Sequence, residues 1–167
     1  MFSYWYKSKL VKIPLNEPCS AACGCLDGEH DEYKVVTWDT AGQPMYSSSM
    51  QPTYLENHQI ILFVYDITDK DTLENLDKYL KFTKENNVND QVHVLVGNKS
   101  DLCEEIDESG DASEQPQREV PFECGLKYAM KNGMTFYEAS AKSGFNVSKI
   151  FEAAITEKIE RMNSSWK

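Results

Sequence analysis

Three short stretches of this chain carry residue types suited to ligand chemistry, and each follows a β-like run. Asp39-Thr40-Ala41-Gly42-Gln43 comes directly after Tyr33 to Trp38. An acid at the end of a strand can hold a metal ion through water, and an amide can orient a water molecule. The glycine between them lets the backbone approach a ligand with no Cβ in the way. Asn98-Lys99-Ser100-Asp101 follows the run Gln91 to Gly97, and Ser140-Ala141-Lys142 follows Met134 to Glu138. Taken singly, each is equally an ordinary polar turn. Their common position just past the carboxyl end of a strand is where open α/β sheets place ligands.

The elements that must position these stretches are legible from periodicity. Lys9 to Leu15 alternates, with Leu10 out of phase, and reads as a strand. A Gly/Pro/Cys/Asp-rich connection, Asn16 to Glu32, leads to a second strand over Tyr33 to Thr40, which makes a hairpin with a long tip. Ala41 to Asn57 reads as a loop with a short helix. Ile60 to Asp66 is a continuous apolar run of strand length, the pattern of a strand buried on both faces. A helix is predicted from Asp71, where Asp71-Thr72-Leu73-Glu74 has the form of a capping box, with Leu73, Leu76, Leu80 and Phe82 on its core side. After the strand Gln91 to Gly97, an acidic loop occupies 103–119. Pro121 suits a first helical position and Gly133 a C-cap. Asn146 is placed as the cap of a last helix, with Val147, Ile150, Phe151, Ala154, Ile155 and Ile159 on one face. Strands alternating with helices predict an α/β doubly wound sheet, in one domain over residues 1–167.

Composition narrows the classes of function. The net charge of −10 argues against a nucleic-acid partner held by its phosphates. No apolar run is long enough to span a bilayer. The aromatic start, Met1 to Lys7, lacks the basic flank and leucine-rich segment of a signal peptide, so the expected location is cytoplasmic. Five cysteines, three of them at Cys19, Cys23 and Cys25, match no Cys-x₂-Cys knuckle even with His30 nearby. They read as reduced loop thiols rather than a metal site or a disulfide framework.

In their order and context the three motifs resemble those of the Ras-like small GTPases. The Rab branch fits best, through Trp38 before the acid, Tyr65-Asp66-Ile67-Thr68, Gly97 to Leu102, Glu138 to Lys142 and Asn146-Val147. The long hairpin tip and the ending near Arg161 to Trp166 are similar to the Rabs of secretory-granule exocytosis. The resemblance covers about Tyr6 to Met162 and implies a Ras-like P-loop NTPase fold, with GTP or GDP and Mg²⁺ as ligands. It implies that Asp39 holds Mg²⁺ through water, that the Gly42 amide senses the γ-phosphate and that Gln43 orients the attacking water. Asp101 would accept two hydrogen bonds from the N–H edge of guanine, which adenine cannot supply. Asn98 would contact the other side of the base and brace the loop, and the Lys99 stem would cover the purine. The Ala141 amide, in the Ser140-Ala141-Lys142 stretch, would reach the base carbonyl, with Lys142 packed on the opposite face. Effector and regulator proteins of Rab type, and a place on intracellular vesicle membranes, are implied for the intact family.

The chain also departs from the family pattern. No Gly-x-x-x-x-Gly-Lys-Ser/Thr loop occurs in it, and the sequence starts as if cut after the family's first switch. The expected sheet therefore lacks its first, central strand, together with the phosphate loop and first helix. Base contacts alone supply roughly 3–6 kcal/mol, which corresponds to about millimolar affinity at best. Hydrolysis is not expected. Pro44 and Met45 stand where Rabs carry Glu-Arg, Leu55 replaces an aromatic of the effector-reading triad, and Ser164-Ser165-Trp166-Lys167 offers no cysteine for a prenyl anchor. Two readings follow: an incomplete Rab-like GTP-binding protein of vesicle traffic, or a nucleotide-free interaction module that keeps part of the Rab surface.

Overall fold

The computed structural model describes residues 5–14, 30–39, 58–85, 90–103 and 118–164. The expected hairpin tip at 16–29, the loop at 41–57 with Gly42 and Gln43, the cysteines at 19, 23 and 25, and the acidic run at 104–117 lie outside these residues. The chain divides into two units, Met1–Gln51 and Pro52–Lys167.

The first unit contains one antiparallel pair, β1 (Trp5–Pro14) and β2 (His30–Asp39), with Trp5 opposite Asp39 and Pro14 opposite His30. Both strands begin earlier than expected, β1 by four residues. Aromatic residues favour pleated, half-buried surfaces, and Trp5 and Tyr6 extend the ladder to the end of β2.

In the second unit β3 (Ile60–Asp66), β4 (Val92–Asn98) and β5 (Thr135–Glu138) form a parallel sheet in the order β3-β4-β5. Parallel neighbours require crossover connections, and helices α1 (Lys70–Glu85) and α2 (Phe122–Asn132) supply them. Alternation along the strands sorts the core into two layers. Phe63, Tyr65 and Leu95 point to the side covered by α1 and α2, where they meet Leu73, Leu76, Leu80 and Ala129. Val92, Val94 and Val96 point to the other side and pack with Ile150 and Ala154 of α3 (Val147–Ser164). This is the α/β sheet with helices on both faces that the sequence predicts.

Several local expectations are corrected. Helix α1 starts at Lys70, and its cap is Asp69 rather than Asp71: Asp69 Oδ1 accepts the Asp71 N–H at 3.0 Å. The Lys70 N–H donates to the Glu119 carboxylate, 49 residues away, at 3.0 Å. Thr83 rather than Phe82 is buried at the end of α1, because 73, 76, 80 and 83 keep the 3-4-3 spacing of one helical face. Pro121 is the N-cap residue of α2, with extended backbone at φ −58°, ψ 148°, and Gly133 closes the helix at φ 68° as expected. The Asn146 side chain donates to the Glu138 carbonyl at 2.8 Å, so it fastens the start of α3 to β5. Strand β3 is not covered on both faces throughout. Val64 is 51% exposed, whereas Ile60 and Leu62 on the same side of β3 pack against the core layer that includes Ile150 and Ala154 of α3.

One buried base gives α3 a partner that the sequence did not suggest. Lys158 is 9% exposed and donates to both the carbonyl (2.7 Å) and the carboxylate (2.5 Å) of Asp90, which satisfies a charge that would otherwise be costly there. Among the described residues no helix is long and apolar enough to cross a membrane, and no cluster of potential metal ligands occurs.

Close packing makes one glycine hard to replace. A Cβ on Gly125 would stand 2.4 Å from the Tyr65 hydroxyl and 2.6 Å from the Phe136 ring, and Tyr65 is 2% exposed. Gly125→Ala should therefore destabilise the protein by about 1–3 kcal/mol, although alanine is the better helix former. Urea unfolding of the variant checks this; a stability equal to or above that of the parent would contradict the packing described.

His93 gives the fold a pH dependence. Its ring lies edge-on to Phe63 at 5.5 Å, and its Nε2 is buried without a hydrogen-bond partner. Burial, then the nearby positive charges of Arg161 and Lys84, hold its pKa below the ordinary 6.5. The unfolded chain therefore binds the proton first. This contribution is fully present above pH 6.5 and is lost as pH falls from there through the folded-state value. Denaturant melts between pH 7.5 and 5.5 should show falling stability, and His93→Phe should flatten the slope; an unchanged slope would refute the assignment.

Candidate functional site

Three strand ends of the second unit converge on the predicted motifs. β3 ends at Asp66, β4 at Asn98, and β5 runs into Ala139-Ser140. Lys99 leaves β4 in the left-handed region (φ 69°, ψ 31°), which turns the chain into the short 3₁₀ segment Ser100–Leu102. Backbone bonds fix the two loops against each other. The Ser100 N–H donates to the Ala139 carbonyl at 3.1 Å, and the Ala139 N–H donates to the Gly97 carbonyl at 2.9 Å. The second loop closes on itself through the Gly144 N–H to the Ser140 carbonyl, 2.9 Å, with Gly144 at φ 83°.

Side chains then join the motifs. Ser140 is fully buried; its Oγ donates to Asp101 Oδ1 at 2.6 Å and accepts the Ser143 N–H at 3.0 Å. Asn98 Oδ1 accepts the Ala141 N–H at 3.0 Å. Asp101, with only 15% of its side chain exposed, has its Oδ2 3.7 Å from the Nζ of the largely exposed Lys142. A carboxylate offers about four acceptor positions. Ser140 takes one, and at 3.7 Å Lys142 is too distant for a hydrogen bond. Among the described residues Asp101 thus presents a mostly buried carboxylate acceptor with spare capacity, held in place by a buried hydroxyl. That is the donor–acceptor character an N–H edge of a purine requires.

Lys99 does not stand free. Its ammonium forms an ion pair with Asp66 Oδ2. Asp66 Oδ1 accepts from both the backbone N–H (2.9 Å) and the hydroxyl (2.7 Å) of Thr68. Burial alone would raise the Asp66 carboxyl, but the bonds from Lys99 and Thr68 outweigh it and hold its pKa below 3.8. Asp66 is the site residue that sequence reasoning passed over. The signal available was an acid at the end of an apolar strand, the same signal that singled out Asp39.

The structure thus brings together Asn98, Lys99, Asp101, Ser140, Ala141 and Lys142. Asp39 is exposed at the end of β2 in the other unit, and Gly42 and Gln43 lie outside the described residues. The Ala141 amide, expected to reach the base, is engaged internally by Asn98, and the Lys99 ammonium, at the end of the stem expected to cover the purine, is paired with Asp66.

Comparison with known proteins agrees with this geometry. Residues 22–160 match the model of the Ras family. The chain is 40% identical over 130 residues to the GTP-binding protein YPT52 of Saccharomyces cerevisiae, covering 71% of this chain and 54% of that protein. It is 37% identical over 136 residues to rat Rab-26, covering 81% and 48%. To mouse Rab-17 it is 35% identical over 144 residues, covering 86% and 61%. The chain belongs to the Ras family of small GTPases. Within it, these relatives place it on the Rab branch. It spans about half the length of the curated relatives it matches.

Proposed function

We propose that this chain is a Rab-like guanine-nucleotide-binding protein of vesicle traffic whose 167 residues supply the base-reading half of the site. What supports this is the Ser140–Asp101 bond of 2.6 Å, which fixes a mostly buried carboxylate with unused acceptor capacity beside the Asn98–Ala141 contact. Such a group accepts the two N–H donors of guanine and leaves adenine unpaired. Lys142 would lie along one side of the base. Asn98 braces the loop in the structure and would turn part of its amide to the base.

Phosphate binding and Mg²⁺ chemistry rest on groups other than these base-reading residues. Mg²⁺, when bound beside a nucleotide, neutralises phosphate charge; here Asp39 is the described residue that would hold it. Without a phosphate loop the expected affinity is that of the base alone, about millimolar from roughly 3–6 kcal/mol of charge-assisted hydrogen bonding. Hydrolysis is not expected of this chain. A fluorescent GDP analogue with Mg²⁺ should show no micromolar saturation, while guanosine at millimolar concentration should give saturation-transfer NMR signals that adenosine does not. Micromolar GDP binding would refute the base-only account.

A second reading is a nucleotide-free interaction module, and one observation favours it. The Lys99 ammonium and the Ala141 amide already have internal partners, so these two groups of the site need no ligand. Absence of any guanosine signal at millimolar concentration decides for this alternative.

A further inference from the structure

Lys99 and Asp66 pair across the ends of β4 and β3. Asp66 stands opposite Asn98 in the parallel register, and the sheet order β3-β4-β5 puts it on the far side of β4 from the Ser140 loop. The Lys99 stem therefore runs across the strand ends, away from the Ser140–Asp101 and Asn98–Ala141 bonds. Asp66 itself is fixed by both its side chain and its backbone. Its Oδ1 accepts the N–H and the hydroxyl of Thr68 at 2.9 and 2.7 Å. Its own N–H donates to the hydroxyl of Thr72, in the first turn of α1, at 2.9 Å. The Asp66 side chain is 17% exposed, against 50% for that of Lys99. The carboxylate is the anchor, and the lysine is what it holds.

A free lysine stem samples many rotamers, and a ligand that packs on it must restrict them. Lys99 is restricted already. Its ammonium is tied to Asp66, and its backbone stands at φ 69°, a region that glycine enters without steric cost and a lysine does not. A long side chain kept at a strained turn points to a use for that side chain. The bond to Asp66 also holds the Lys99 ammonium above its ordinary pKa, so the pair is ionic at neutral pH. We propose that Asp66 is a positioning residue for purine binding, holding the Lys99 stem across the strand ends as a ready-made apolar face for the base. The inference rests on the base-reading role proposed above. Asp101 would read the edge of the base, whereas the lysine stem would meet its ring. Asp66 therefore sets how tightly a purine binds and leaves the choice of purine to Asp101. It acts through Lys99 and touches no ligand atom.

The test uses the full 167-residue chain and guanosine, followed by saturation-transfer NMR below saturation, where the signal scales with affinity. Asp66→Asn keeps an acceptor for Thr68 and removes the charge that holds Lys99. It should lower guanosine affinity roughly three- to tenfold, the range expected when one lysine side chain must be ordered on binding. Guanosine should still be preferred to adenosine. Lys99→Ala removes the stem, and in that background Asp66→Asn should weaken binding no further. Without ligand, ¹³C relaxation at Lys99 Cε should show a restrained side chain in the parent and a mobile one in Asp66→Asn. Equal guanosine affinity of the parent and Asp66→Asn, or a mobile Lys99 in the parent, would overturn the proposal and leave the base-reading role standing. A further loss of the same size in the Lys99→Ala background would show that Asp66 acts on the loop rather than through the lysine, and would overturn it as well. A parent that binds no guanosine overturns the base-reading role itself, and the role of Asp66 with it.

Discussion

Arg118→Ala should lower the unfolding free energy of the protein by about 3 kcal/mol, the lower end of what breaking a buried ion pair costs. The Glu138 carboxylate is only 13% exposed and takes both guanidinium nitrogens, at 2.7 and 2.9 Å. The same guanidinium donates to the Val120 carbonyl at 3.1 Å, so it ties the segment leading into α2 to the end of β5. Removing it leaves a carboxylate with little access to water and a carbonyl without its donor. The low end of the range applies because the arginine is itself 30% exposed. The strength comes from two parallel, charge-assisted bonds, a geometry lysine cannot reproduce. Arg118→Lys should therefore recover only part of the loss. In a double-mutant cycle, Glu138→Gln should remove most of the penalty of Arg118→Ala, since the buried charge is then gone. Additive losses in chemical denaturation would show that the pair is not coupled as described.

Asp101→Asn should exchange the preferred base from guanine to xanthine. A carboxylate can accept from two N–H groups, whereas an amide at the same place offers one acceptor and one donor. Xanthine, with a carbonyl where guanine has its amino group, suits that pattern. Because a site built around a polar group leaves it unpaired with the wrong partner, the discrimination is large even where absolute affinity is weak. Ser140 keeps an acceptor on the amide oxygen, so the loop should hold its shape; the 2.6 Å contact does not require a charged partner. In saturation-transfer experiments the variant should lose the guanosine signal and acquire one for xanthosine. An unchanged preference for guanosine would remove Asp101 from the role given to it.

The parts of the fold that could be read in advance are those whose pattern is local. Ile60 to Asp66 announces itself as a continuous apolar run, Gln91 to Gly97 as a β run carrying Val92, Val94, Leu95 and Val96, and Gly133 as a residue suited to positive φ. What could not be read depends on contacts distant in sequence. Lys158 looks like a solvent residue on α3 until Asp90, 68 residues earlier, comes within 2.5 Å. The N-terminus of α1 takes one cap from Asp69 and another from Glu119, and only the folded chain supplies the second. At the site, the motif residues Asn98 to Asp101 and Ser140 to Lys142 were visible from type and spacing. Their partners were not, because Asp66 reaches Lys99 only once β3 and β4 pair in parallel with Asp66 opposite Asn98. The exposed side of α2 was hidden for a similar reason: Phe122, Leu126 and Met130 have the spacing of a core face, yet Gly125 and Ala129 take the sheet.

The account rests on a guanine-reading site formed by two loops, and residue-resolved NMR tests it most directly. In ¹⁵N-labelled protein titrated to millimolar guanosine, the amides of Lys99 to Leu102 and of Ala141 to Ser143 should shift together along one saturable curve. Adenosine should leave them in place. Shifts that are equal for the two nucleosides, or confined to residues away from both loops, would contradict the site.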